Sequence, residues 1–154
     1  MLHLAPPQSA PDFVKFSPLA YADGPNKGWL EVDINTLQHK RYANIFGLGD
    51  VAALPTAKTG AAIRKQAPVV VANILQCIKD GMLSPAKYEG YSSCPLVTGY
   101  GKMLLAEFKY DNVRDSDPLL SKFFDTGKPL WSMWVLKKYM LPWLYWNRML
   151  KGTM

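Results

Sequence analysis

Two short stretches of this chain hold residue types that could do chemistry. The first is Phe46-Gly47-Leu48-Gly49-Asp50, followed by Leu54-Pro55-Thr56-Ala57-Lys58-Thr59-Gly60-Ala61-Ala62. It reads as a strand, a tight glycine turn carrying a carboxylate, and the start of a helix. Glycine lets backbone approach a ligand closely. Asp50 can accept hydrogen bonds from ribose or ribityl hydroxyls. A helix start offers free N–H groups and a partial positive charge to a phosphate or an electron-rich oxygen. Gly-Asp alone is equally the mark of an ordinary strand-to-helix turn. Lys58-Thr59 echoes a phosphate-binding loop, but the Gly that must precede the Lys is absent.

The second stretch is Tyr88-Glu89-Gly90-Tyr91-Ser92-Ser93-Cys94-Pro95-Leu96-Val97-Thr98-Gly99-Tyr100. A Cys followed by Pro in a Gly/Tyr-rich loop is placed for access, and thiolate chemistry needs access. A single Cys also serves as a small apolar filler. Cys77, between Ile74 and Ile78, reads as filler. Two cysteines cannot build a disulfide scaffold, and no Cys/His cluster has metal-ligand spacing, so no metal is expected. His3, His39, Asp33 and the serines have no Ser-His-Asp spacing. His39, beside Lys40 and Arg41, reads as solvated.

Charge adds a third candidate. The chain of 154 residues carries a net charge of +6. Its last acidic residue is Asp125, after which Lys128, Lys137, Lys138, Arg148 and Lys151 interleave with Trp131, Trp134, Tyr139, Trp143, Tyr145 and Trp146. Basic residues mixed with interfacial aromatics point to a membrane surface, with packing on the chain's own core as the alternative. Nucleic acid is not expected, because no helix-turn-helix, zinc-finger or aromatic-sheet signature accompanies the charge. No apolar run is long enough to span a bilayer, and no signal peptide opens the chain.

These residues need elements to hold them. Met1–Leu4 reads as a buried strand end, and 8–27, rich in Pro and Gly, as loop. Trp29–Val32 and Ile45–Leu48 read as short strands joined by a connector over 33–44. A long helix is expected from near Thr56 or Lys58, with Thr56 as N-cap and Gly81 as its stop, kinked or broken at Pro68. Leu96–Thr98 and Met103–Phe108 flank a Gly-Tyr-Gly turn and predict a hairpin. Residues 111–125 read as loop, and 131–150 as two short helices interrupted at Pro142.

Taken together, the runs Met1–Pro7, Thr36–Tyr42, Ile45–Asp50, Leu54–Thr59, Tyr91–Tyr100, Leu105–Phe108 and Pro142–Asn147 resemble the C-terminal third of sulfide:quinone oxidoreductases. The Cys-Pro-Leu-Val-Thr-Gly-Tyr run is specific. The Gly-Asp motif is shared by many flavoproteins with two dinucleotide-binding folds, among them type II NADH dehydrogenases, the alternative family.

The resemblance implies an α/β fold, present here as an α+β fragment that lacks the N-terminal Gly-x-Gly-x-x-Gly unit. It implies FAD as cofactor, with Gly49 and Asp50 at the ribityl position and Lys58 and Thr59 at the helix start facing the flavin ring. Cys94 matches the C-terminal redox cysteine, and the partner cysteine lies upstream of the matched region. The implied partners are sulfide, a sulfur acceptor, a quinone and a membrane surface met through Trp131–Leu150. The location implied is peripheral, on the cytoplasmic membrane of a bacterium or the mitochondrial inner membrane of a eukaryote. The organisation expected is 1–82 as part of a split FAD-binding region, 83–127 as redox-cysteine loop and hairpin, and 128–154 as docking tail. By itself the chain is expected to bind FAD weakly or not at all. A truncated, non-catalytic membrane-peripheral module is the remaining alternative.

Overall fold

Backbone pairing in the first fifty residues is sparse. In this computed structural model, which describes Leu2, residues 4–116 and residues 118–153, with the side chains of Leu119 and Leu120 left aside, the architecture is α+β. A single helical turn, α1 (Asp12–Lys15), is followed by irregular chain pinned at isolated points. Leu30 pairs with Ala20 and with Ala52, Val32 with His39, and Gln38 with Phe46. The two strands expected at 29–32 and 45–48 are thus extended but paired at single residues. Leu2 and Leu4 are exposed coil, not a buried strand end, and Met1 and His3 lie outside the described residues.

The connector is held by polar groups instead of a ladder. The Asp33 carboxylate accepts from the amides of Asn35 (3.0 Å) and Thr36 (2.8 Å) and from the Thr36 hydroxyl. These bonds hold its carboxyl below the usual range, against the opposing effect of partial burial. His39 is buried, not solvated. Its Nε2 lies 2.9 Å from the Leu19 carbonyl, while Nδ1 accepts from the Arg41 amide at 3.0 Å. Both ring nitrogens are committed to backbone, which fits one neutral tautomer.

The long helix, α2, runs Gly60–Asp80. Its N-cap is Thr59, not Thr56: the Thr59 hydroxyl accepts from the Ala62 amide at 3.2 Å. The helix passes through Pro68 unbroken. Pro68 faces solvent, so the missing N–H falls on the side where water can serve the backbone. Gly81 closes the helix, its amide donating to the Cys77 carbonyl. The inner face carries Ala62, Gln66, Val69, Val70 and Asn73. Val69 and Val70 pack with Leu37 and Tyr88, and a second cluster gathers Ala10, Val14, Leu30, Val32 and Ala52. Leu54 packs against both clusters and joins them.

The hairpin forms around the Gly-Tyr-Gly turn as expected, with β1 (Ser92–Gly99) antiparallel to β2 (Lys102–Phe108). β1 starts earlier than expected and takes in Cys94, which lies opposite Ala106, while Leu96 lies opposite Leu104. The other edge of β2 is occupied by 126–130: the Leu105 amide donates to Thr126, and Met103 exchanges bonds with Leu130. After the short α3 (Pro118–Ser121), the tail is one bent helical run instead of two separate helices. It comprises α4 (Trp131–Val135), a wide π-type turn over Leu136–Met140, and α5 (Leu141–Asn147). A proline ring cannot sit over the carbonyl four residues earlier; the widened turn before Pro142 makes the room. Met133 is 2% exposed, so α4 is anchored within the protein, while Trp143, Tyr145, Trp146 and Leu150 are exposed.

Candidate functional site

The Gly-Asp turn is built by backbone geometry that only glycine adopts without strain. Gly49 has φ +75° and opens a single 3-10 turn, Gly49–Val51, that presents Asp50 to solvent. The Gly49 amide donates to the Gln66 side-chain oxygen at 2.7 Å, tying the turn to the inner face of α2. Lys58 closes the other side. Its ammonium donates to the carbonyls of Asp50 (2.7 Å) and Ala52 (2.8 Å) and lies 4.0 Å from the centroid of the Trp29 ring. Burial lowers its pKa, and the Asp50 charge opposes that shift. Lys58 therefore braces the turn, and Thr59 caps the helix.

Between these groups lies a cleft of only about 10 Å³, lined by Gly49, Asp50, Leu54, Thr56, Lys58, Thr59, Ala62 and Gln66. A cavity of that size holds about one water molecule. Among the described residues, no buried side-chain polar atom lacks a hydrogen-bond partner. A flavin does not fit within this cleft. Its rim is the edge formed by the exposed Asp50 carboxylate and the N-terminus of α2.

The cysteine loop is wired to that edge. The Thr56 hydroxyl donates to the Gly90 carbonyl at 2.8 Å. The buried Tyr88 hydroxyl donates to the Tyr91 carbonyl at 2.6 Å and also meets Gln66 and Thr56. Gln66 thus touches both the Gly49 turn and the loop that leads into β1. Gly90 has φ +84°, and a Cβ there would lie on the Tyr110 ring and 2.6 Å from the Tyr110 amide nitrogen. Tyr91 donates to the buried Glu107 carboxylate at 2.7 Å. On its outer side the loop borders an open cleft of about 320 Å³ with Arg64, Lys65, Lys87 and Lys109 on its rim.

Cys94 is a free thiol on the open face of the hairpin, sharing that face with Leu96 and Leu104. Cys77, the other free thiol, is partly buried on α2. Gln66 was not singled out by sequence, and Tyr88, Gly90 and Glu107 stood within quoted runs without a role of their own. A polar residue on the inner face of an otherwise apolar helix was the signal for Gln66. Among the described residues there is no cluster of His, Cys, Asp or Glu that could hold a metal, and no helix long and apolar enough to cross a membrane.

No family model matches the chain. It is 46% identical over 152 residues, 99% of its length, to the mitochondrial sulfide:quinone oxidoreductase of Mus musculus. It is 46% identical over 153 residues to the protein of the same name from Dictyostelium discoideum. It spans 32% of the length of each of these relatives. Among solved structures, a chain in the cryo-EM structure of the Tetrahymena thermophila mitochondrial ATP synthase superposes with a TM-score of 0.70 at 33% identity. That match covers 90% of this chain and 32% of the other. Over nearly its whole length, the chain thus aligns with the C-terminal portion of the sulfide:quinone oxidoreductase family.

Proposed function

We propose that this chain is the part of a sulfide:quinone oxidoreductase that carries one redox cysteine, one edge of the flavin site and the membrane-docking tail. The observation that carries the reading is the 46% identity with the mouse enzyme across 99% of the chain. In this reading Cys94 is joined in a disulfide to a cysteine outside the chain. Hydrosulfide attacks one sulfur, leaving a persulfide on that cysteine and a thiolate on the other, so the bond formed replaces the bond broken. The open face of β1 gives the access such an attack requires. FAD, held between the Asp50 edge and the rest of the protein, would supply the two-electron acceptor, and a membrane quinone would take the electrons onward. Residues 1–82, 83–127 and 128–154 would form flavin edge, cysteine hairpin and docking tail. The relatives' names say mitochondrial; with a tail that docks on lipid, the location would be a membrane surface of that organelle.

A second reading draws on the relative within the mitochondrial ATP synthase structure: the chain would serve as a non-catalytic module of a membrane assembly. One experiment separates the two. The chain replaces the corresponding segment of the mouse enzyme, and sulfide-dependent quinone reduction is measured with and without Cys94→Ser. Turnover in the chimera that Cys94→Ser abolishes, with flavin retained in both, is the expected result. A chimera that holds flavin but reduces quinone no faster when sulfide is added would favour the structural role.

A further inference from the structure

The turn end of the hairpin carries exposed apolar side chains. Leu96 and Val97 are exposed, and Tyr100 at the apex is 97% exposed. The apex does not stand alone. The Tyr100 ring lies 6.0 Å from that of Trp134, and Lys137 donates to the Pro95 carbonyl at 2.9 Å. Together with the Met103–Leu130 pairing, these contacts fix the turn beside the first half of the tail. Trp131, itself 68% exposed, stands against Gly101, and Tyr139, Trp143 and Trp146 are exposed further along the tail.

Charge indicates what covers this surface. No acidic residue occurs between Gly90 and Ala106 or after Asp125, whereas Lys102, Lys128, Lys137, Lys138, Arg148 and Lys151 fall in these same stretches, and Lys138 lies over the rings of Trp134 and Tyr139. Aromatic rings with lysine and arginine at their margins match the headgroup region of an anionic bilayer. We propose that the turn end of the hairpin, residues 96–101, is a second lipid-contacting element that docks on an anionic membrane together with the tail. The inference rests on the reading of the tail as a docking segment. Cys94 would then sit two residues, roughly 7 Å, along the strand from the first lipid contact, so its thiol would work at headgroup level.

The test uses the full chain and vesicles of phosphatidylcholine with or without phosphatidylglycerol. Leu96→Ser, Val97→Ser and Tyr100→Ser combined should lower partitioning onto the anionic vesicles about tenfold or more. These side chains are exposed, so the far-ultraviolet circular dichroism spectrum should stay that of the parent. Independently, an environment-sensitive fluorophore on Tyr100→Cys, in a Cys77→Ser, Cys94→Ser background, should shift to the blue only when anionic vesicles are added. Parent-like binding of the triple variant, with Trp143→Ser plus Trp146→Ser losing it, would overturn the hairpin contact and leave the tail reading standing. Absence of binding by the parent chain would overturn both. A blue shift without vesicles, accompanied by dimers, would assign the surface to a second copy of the chain and overturn the proposal.

Discussion

Tyr91 is half-buried, and its phenol is pushed up to about 12 from an ordinary 10.0, first by burial and then by the Glu107 carboxylate that its hydroxyl meets. A proton held more tightly in the folded state gives stability that is complete below the unfolded pKa. That stability is lost as pH rises through the folded value. Unfolding by urea between pH 10 and 12 should therefore show falling stability, and Tyr91→Phe should remove that part of the slope. At neutral pH the same substitution should cost about 1–3 kcal/mol, because a buried carboxylate loses a donor. Cys94 was legible in sequence because Cys-Pro in a Gly/Tyr-rich loop implies access, and the thiol is exposed. Lys58 was legible only as a positive charge near a helix start. Its direction, into the carbonyls of Asp50 and Ala52 and onto Trp29, which lies 29 positions back, depends on how the chain folds, which local spacing does not encode. His39 misled for the same reason, since its acceptor is the distant Leu19 carbonyl.

Elements with their own periodicity were the most readable. The β1–β2 hairpin follows from two strand-like runs flanking Gly-Tyr-Gly, and α2 ends at Gly81 as its sequence says. Segments 29–32 and 45–48 were read as strands, but they lack neighbours long enough to extend a ladder and pair at single residues. The break allowed for at Pro68 does not occur, because the proline lies on the solvent side, where water can serve the carbonyl it leaves without a donor. The start of β1 depends on one backbone conformation. Gly90→Ala would force a Cβ into the Tyr110 ring at φ +84°, and alanine resists that φ as well. A loss on the order of 3 kcal/mol is expected, and thermal unfolding checks it. A stability change within error would mean the loop relaxes around the added methyl.

On the scale of the chain, the pieces are unequally anchored. Residues 1–82 and the hairpin share the α2 inner face and the Tyr88 loop, whereas the tail is held chiefly through Met133 and Leu130 against β2. α2 also bears a second apolar stripe, Val71, Ile74, Leu75 and Ile78, that is exposed. The chain spans 32% of its relatives' length. Gln66, meanwhile, binds the Gly49 turn and the Tyr88 hydroxyl at once. Two regions sharing one side chain cannot open independently. The amide protons of Gly49, of Tyr88 (bonded to Asn35) and of Tyr110 (bonded to Glu89) should therefore exchange with deuterium through a single shared opening event. Gln66→Leu should hasten the exchange of all three. Faster exchange at Gly49 alone would show that the carboxylate turn and the cysteine strand breathe separately.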